Sequence, residues 1–189
     1  MARGRAEEAV AEILHAVQLE PLTMVLQWTA AVCHYFARQY DQAIGLSQKS
    51  LELDPTFTPV HFTLGCAFVK KGMYGPAVNE LEEAVEISRR EPFYLGTLGH
   101  IYGAVGRRED ALKIVRELEE LSKQRHVSPF WTGLIYTALC EKDDAFLWLE
   151  RARQEHAPWM AYLKATPWWD NLRSDPRYYS LLQRMNIPI

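Results

Sequence analysis

The 189-residue chain has little cysteine and no long apolar run. Its three cysteines, Cys33, Cys66 and Cys140, form no CxxC pair and leave an odd number. This pattern favours reduced thiols in a cytoplasmic setting over a disulfide framework. A membrane-spanning helix needs about 18 consecutive apolar residues, and a secretory signal needs an apolar segment near the start. Since the sequence has neither, we predict no membrane association and no secretion signal.

Excess positive charge is also missing. The 21 Lys and Arg residues stand against 24 Asp and Glu, so the formal net charge is -3. Nucleic-acid binding needs a broad basic surface that neutralises phosphates. The paired arginines at 89–90 and 107–108 fall where turns are expected. We therefore predict no nucleic-acid partner.

Motifs for catalysis and metal binding are missing as well. The six histidines form no HExxH pattern, and none pairs with a cysteine at the spacing of a metal site. Phosphate-binding GxxxxGK[ST] and nucleophile GxSxG motifs are not found either. We therefore predict a protein that is not an enzyme, with no catalytic residue, no metal site and no cofactor.

The strongest positive signal is an alanine that recurs at a fixed interval. It stands at positions 9, 43, 77, 111 and 145, each 34 residues after the last. A constant interval of about 20 to 50 residues is typical of solenoids, in which stacked units bury each other's apolar faces. The function is then expected in an extended surface rather than in a cleft.

Further columns align when the chain is divided into 34-residue frames that start at residues 24, 58, 92 and 126. The eighth residue of each frame is small, and a ring stands three residues later, on the same face of a helix. The small residues are Ala31, Gly65, Gly99 and Gly133, and the rings are His34, Phe68, Tyr102 and Tyr136. Gly72 and Gly106 mark turns within frames, and prolines mark the junctions between frames. Each frame is therefore predicted to be a helical hairpin.

This pattern resembles the tetratricopeptide repeat. The second frame carries Leu64-Gly65, Phe68, Gly72, Tyr74, Ala77 and Ala84, and the third repeats Leu98-Gly99, Tyr102, Gly106 and Ala111. The first frame departs with Ala30-Ala31, and the fourth with Thr132-Gly133 and with Cys140 at the turn. The resemblance implies an all-α, right-handed superhelical solenoid of antiparallel helix pairs. It also implies that the protein binds a protein or peptide.

We expect a single domain built from a half repeat, four full repeats and a cap. The predicted segments are 4–21, then 24–57, 58–91, 92–125 and 126–157, and finally 158–189. The half repeat places Ala9, Ile13 and Ala16 in core columns and lacks a first helix, which predicts a fragment of a longer protein. Apolar residues left partly uncovered there are expected to mediate self-association: Val10, Ile13, Leu14 and Val17.

The tail after residue 157 is expected to leave the 34-residue interval. Asp175 and Pro176 suit the start of a capping helix, whose apolar face would hold Tyr178, Leu181, Leu182 and Met185. Two interpretations of the aromatic residues stay open: they seal the last repeat, or they form a ligand platform. These aromatic residues are Trp159, Trp168, Trp169 and Tyr178.

The tail is also similar to the ends of repeat regions in bacterial and archaeal multidomain signalling regulators. The similarity lies in Ser128-Pro129-Phe130, in residues 141–150, and in Leu172 through Arg177. It implies that the chain is the partner-binding part of a signalling or regulatory protein.

The first helix of each frame is expected to line a concave groove that binds a partner. The predicted groove residues are Val25, Trp28, Val32, Tyr35, Phe62, Cys66, Val69, Lys70, Phe93, His100 and Phe130. Gly96 and Gly103 are expected to leave space on its floor. Such a groove suits an amphipathic helix or an extended apolar segment, unless neighbours or the tail cover it. The alternative function is a scaffold that forms homo-oligomers through the N-terminal helix and the tail.

Overall fold

The computed structural model describes residues 2–20 and 23–188, with side chains from Glu8 onward. All regular elements in these ranges are helical. They are α1 (Ala2–Leu19), α2 (Met24–Phe36), α3 (Tyr40–Leu53), α4 (Thr58–Lys70), α5 (Tyr74–Ile87), α6 (Pro92–Ala104), α7 (Arg108–Ser122), α8 (Pro129–Ala138), α9 (Lys142–Gln154), α10 (Pro176–Arg184), and the 3₁₀ helices Pro158–Tyr162 and Pro167–Trp169. The all-α prediction is confirmed. Pro21, the predicted end of the half repeat, lies outside the described residues.

The turn inside each hairpin uses the same left-handed backbone position. Arg38, Gly72, Gly106 and Cys140 all have a positive φ, between 62° and 81°. They follow one another at the 34-residue interval. At each turn the N–H of the next residue bonds back to the ring column, as from Met73 to the Phe68 carbonyl at 2.9 Å. This closure satisfies carbonyls at the end of the first helix and turns the chain into the second helix.

The first of two compact units ends at Arg90. In it α1 packs against α2, each later helix packs against the next, and α2 also contacts α4. Small residues allow the close approach: Ala31, Ala43 and Ala77 have no exposed surface. A Cβ added to Gly65 would lie 2.6 Å from Leu81 Cδ2, so α4 and α5 meet at this glycine. The small column predicted from the sequence therefore forms the hairpin contact.

The second unit begins at Glu91. It pairs α6 with α7 and α8 with α9, and α6 also packs along α8. Gly99 lies where these contacts meet, because an added Cβ would lie 2.6 Å from Ile135 Cδ1 and 3.0 Å from Ile114 Cγ2. Ala111 and Ala145, the recurring alanines of this unit, have no exposed surface. Helix pairing of this kind confirms the predicted hairpins.

The orientation of α1 differs from the prediction. Ala9 was expected in the core but is exposed, whereas Val10 is buried. Among the described helices α1 packs mainly against α2. The larger Val10 therefore takes the buried position that was predicted for Ala9.

The tail keeps the interval that the sequence analysis expected it to lose. Helix α10 begins at Pro176, 34 residues after α9 begins at Lys142. The side chain of Asn171 donates a hydrogen bond to the Thr137 carbonyl at 2.6 Å, across the same interval. The interval therefore continues at the start of α10, contrary to the prediction, whereas residues 163–172, one interval after α8, form no α-helix. The sequence was misleading here because Tyr179, which lies one interval after Ala145, is exposed. The neighbouring Tyr178 is buried in its place.

The predicted start of the capping helix is confirmed. Asp175 Oδ1 accepts a hydrogen bond from the Arg177 backbone N–H at 3.0 Å, as an N-cap residue does. The Arg177 guanidinium and backbone N–H together lower the pKa of Asp175 to about 2. Tyr178, Leu181 and Leu182 are buried on the face that the spacing predicted.

Candidate partner-binding surfaces

In the first unit, part of the predicted groove is an apolar surface on α2 and α4. We define the α2/α4 wall by Val25, Trp28, Val32, Phe62, Val69 and Lys70. Val25 is 48% exposed, and the other five are half-buried. The wall therefore presents apolar side chains that are anchored in the unit and still reach solvent.

Trp28 has a fixed orientation in the α2/α4 wall. Its indole Nε1–H donates to Thr63 Oγ1 at 3.0 Å, and the Thr63 hydroxyl donates to the Pro59 carbonyl at 3.0 Å. The ring of Phe57 packs edge-to-face against the indole, with the two ring centroids 5.6 Å apart and the ring planes at 88°. Because both contacts come from the segment around α4, the indole lies across the α2–α4 contact.

Phe57 and Thr63 were missed as contributors to this surface. Phe57 precedes α4 and so falls outside the helix columns, and Thr63 is buried. The available signal was a hydroxyl between two apolar residues, Phe62 and Leu64, since a buried hydroxyl needs a partner.

Two predicted groove residues of the first unit lie in its core instead. Tyr35 and Cys66 are both buried. The Tyr35 ring packs against Phe36 and Tyr40, each with centroids 5.8 Å away. The prediction that these two contact a partner was wrong, because both side chains are buried within the unit.

A buried histidine ties together the elements beneath the α2/α4 wall. His61 Nδ1 lies 2.7 Å from Glu80 Oε2, and Nε2 lies 2.8 Å from the Pro55 carbonyl oxygen. A carboxylate and a backbone carbonyl both accept hydrogen bonds, so this arrangement favours the protonated imidazole, in which both ring nitrogens donate. The bond to Glu80 raises the pKa of His61, against the opposing effect of burial. The ring thus links α4 to α5 and to the chain before α4.

In the second unit the corresponding wall is covered by the tail. Phe130 is 1% exposed, because the Trp169 ring packs against it at 5.2 Å. Phe93 is half-buried beneath Trp159, with the centroids 5.1 Å apart. Phe130 is therefore unavailable to a partner, contrary to the prediction.

The other predicted groove positions of the second unit serve the contact between α6 and α8. His100 is buried, and its Nδ1 bonds to the Leu134 carbonyl at 3.0 Å. A Cβ added to Gly96 would lie 2.5 Å from Trp131 Cβ, and one added to Gly103 would lie 2.9 Å from Ala138 Cβ. The glycines admit α8 rather than leave space for a ligand, so that expectation was wrong.

The tail rings mostly seal the second unit. Trp168, Trp169 and Tyr178 are buried, and the Tyr178 hydroxyl donates to the Leu163 carbonyl at 2.8 Å. Trp159 is half-buried and meets Tyr162 at 5.6 Å. These contacts favour the sealing interpretation over a ligand platform.

The predicted self-association residues lie along α1. Val10 is buried, whereas Ile13, Leu14 and Val17 are half-buried. Leu19, which was not predicted, is 71% exposed at the end of this helix. The apolar side of α1 is therefore only partly covered within the first unit.

The described residues lack two further features. No helix within them combines the length and the apolar character that crossing a membrane requires. No three His, Cys, Asp or Glu side chains among them converge as metal ligands would.

Comparison with known proteins identifies one hairpin. No curated protein matches the chain significantly. Residues 58–91 match the family model described as "Tetratricopeptide repeat", and this segment contains α4 and α5. Repeats of this family are non-enzymatic and generally mediate protein–protein interaction. The hairpin of α4 and α5 therefore matches a tetratricopeptide repeat, which confirms for this segment the resemblance drawn from the alanine, glycine and ring columns.

Proposed function

We propose that the chain is a protein-interaction module whose α2/α4 wall binds an apolar peptide segment of a partner. The observation that carries the proposal is Trp28, a half-exposed indole held by Thr63 and Phe57 in the middle of an apolar surface. Interface energy concentrates in a few aromatic anchors, and a ring that is already fixed loses little entropy on binding.

The chemistry of the wall favours a partner with an apolar face and few charges. Val25 and Val32 lie about one helical turn from Trp28 on α2, Phe62 and Val69 lie on α4, and Lys70 is the last residue of α4. An amphipathic helix or an extended apolar strand buries such a surface. The odd number of cysteines, three, and the resemblance of the tail support a cytoplasmic regulatory protein as the setting.

The test is selection of a random peptide phage library on the intact chain, followed by variants. We expect the selected peptides to be rich in apolar residues and to bind at least tenfold more weakly to Val25→Glu. The matched control is Leu53→Glu, because Leu53 is 46% exposed and lies on α3, outside the wall. Equal loss in both variants, or full binding by Val25→Glu, would reject the α2/α4 wall.

A second candidate function is self-assembly through α1. It rests on the half-buried apolar residues of α1 and on the exposed Leu19. Sedimentation equilibrium of the intact chain tests it: an oligomer that Leu14→Glu converts into a monomer supports self-assembly. A monomer across the whole concentration range contradicts it.

A further inference from the structure

An open cavity of about 450 Å³ lies within the second unit, and none of its lining residues belongs to α6 or α8. The end of α9, the first 3₁₀ helix and the end of α10 enclose it. The chain leaves each α-helix through a left-handed residue, His156 after α9 and Asn186 after α10. The side chains of these two residues, His156 and Asn186, belong to the lining of the cavity.

The polar part of the lining includes two guanidinium groups, which only donate hydrogen bonds. It is formed by Arg153, Arg184, His156 and Asn186, and no carboxylate belongs to the lining. Apolar side chains, among them Met160, complete the walls. An apolar cavity with a few convergent polar groups is the usual form of a small-molecule site, and a volume within roughly 300–1,000 Å³ is typical.

Both arginines are held by one carboxylate outside the lining. Arg153 donates through Nε at 3.0 Å and through Nη2 at 2.6 Å to Glu150 Oε1, and Arg184 Nη1 lies 3.1 Å from Glu150 Oε2. Hydrogen bonding from Arg153 lowers the pKa of Glu150, so this carboxylate stays ionised. Two guanidinium groups against one carboxylate leave a net positive charge beside the cavity.

The ends of two helices account for only part of this arrangement. Cations near a helix C-terminus are stabilised by the carbonyl dipoles, which suits Arg153 and Arg184. Here backbone N–H groups already bond to carbonyls of the last turns, from Ala157 to Ala152 at 2.9 Å and from Ile187 to Leu182 at 3.0 Å. Dipole stabilisation alone does not require an apolar cavity next to the guanidinium groups.

We infer that this cavity binds a small organic carboxylate with an apolar body. The carboxylate accepts hydrogen bonds from the guanidinium groups of Arg153 and Arg184, on the side away from Glu150. The apolar body lies against Met160 and Met185. Guanidinium groups recognise carboxylates through paired, charge-assisted hydrogen bonds. The site is separate from the α2/α4 wall and does not depend on the proposed function.

Octanoate is the probe, with 1-octanol and inorganic phosphate as the two partial ligands. Titration of the intact chain, followed by amide chemical shifts, is expected to show saturable octanoate binding at residues around the cavity. 1-Octanol lacks the charge and phosphate lacks the apolar body, so each is expected to bind at least tenfold more weakly. Equal binding of octanoate and octanol would overturn the role of the arginines. Equal binding of phosphate would overturn the apolar part.

Three variants separate a binding site from a purely structural arginine cluster. Arg184→Gln is expected to weaken octanoate at least tenfold, and Ala161→Phe is expected to block the cavity from an exposed position in its lining. Arg151→Gln is the matched control, since it removes the same charge from α9 at a residue that lies over the Trp148 ring. Octanoate binding that Arg184→Gln and Arg151→Gln change equally, or that survives Ala161→Phe, would overturn the site.

Discussion

The two units share the same repeat pattern, but they differ in whether the corresponding surface on their first helices is exposed or covered. In the first unit Trp28 and Val25 reach solvent. In the second unit Phe130 is covered by Trp169, and Phe93 by Trp159. A repeat thus places side chains on a given face, while the segments packed against that face decide whether it stays exposed or becomes core.

Residues one interval apart explain part of the difference. Phe62 and Val69 of α4 correspond to Gly96 and Gly103 of α6, each 34 residues later. The side chains on α4 stay half-buried, whereas the glycines on α6 let Trp131 and Ala138 of α8 approach closely. Where α6 has a glycine instead of a side chain, a contact with α8 therefore takes the place of an exposed surface.

The largest expected effect comes from removing Trp169, which covers Phe130 in the second unit. Trp169 has no exposed surface, so Trp169→Ala leaves a cavity beside Phe130 and should lower the free energy of unfolding by about 3–5 kcal/mol. Denaturant unfolding followed by circular dichroism measures it. The control, Trp28→Ala, should cost clearly less because its ring is half-exposed. A loss of similar size in both variants would mean that the two walls do not differ in this way.

A smaller effect tests the glycines that admit α8. The Cβ of Gly96→Ala would lie 2.5 Å from Trp131 Cβ, and because that atom is next to the backbone α8 must shift. We expect a destabilisation of about 1–3 kcal/mol. Gly45→Ala on α3 is the control, since an added Cβ there has no neighbour within 4 Å. It should gain about 0.5–1 kcal/mol from helix propensity. Thermal unfolding of both variants measures these changes in stability. Stabilisation by Gly96→Ala would contradict the close contact between α6 and α8.

A third substitution should stabilise the first unit. Ser50 is fully buried on α3, and its hydroxyl has no hydrogen-bond partner among the described residues. Ser50→Ala, which restores the alanine found one interval later at Ala84, should gain about 1 kcal/mol by removing an unsatisfied polar group.

The matched control for this gain is Ser88→Ala. The Ser88 hydroxyl donates to the Val85 carbonyl at 3.0 Å, so its removal should bring no gain. Urea unfolding midpoints compare the two variants. A destabilised Ser50→Ala chain would show that the hydroxyl has a partner in solution.

The smallest expected effect is a pH dependence specific to the first unit. The pKa of His61 is raised in the folded chain by its bond to Glu80, relative to about 6.5 when unfolded. Its contribution to stability is then fully present below about pH 6.5 and is lost as the pH rises through the folded pKa. The glutamate Glu83 adds to the same shift.

Unfolding of the native chain and of His61→Gln across this range measures the dependence. The difference in free energy between them should shrink as the pH rises, because the native chain loses the charged ring. His126→Gln, at an exposed residue, is the control. A difference that stays constant with pH would show that His61 is neutral in the fold.

Much of the fold was predictable because the repeat signal is local. Helices α2, α4 and α6 begin at Met24, Thr58 and Pro92, the first residues of the predicted frames. The small columns pack as expected, since only a small residue permits the contact that Gly65 makes with Leu81. Helical periodicity and turn chemistry act over a few residues, so they are visible in the sequence alone.

The candidate sites were less predictable because each depends on residues distant in the chain. Phe130 looked like a groove residue until Trp169 was placed against it. The cavity beside Arg153 and Arg184 joins segments about one interval apart and has no motif of its own. Its geometry arises from two helix ends that meet only in the folded unit.

The sequence by itself determined the helical hairpins, their 34-residue spacing and the face on which each ring column lies. Only the tertiary structure decided that α10 follows the same spacing in a rotated orientation, that the wall of α6 and α8 is covered, and that the α2/α4 wall is open. The physical reason is that periodicity sets where side chains point. Exposure is set by whatever packs against them, and in this chain those contacts come from segments far away in the sequence.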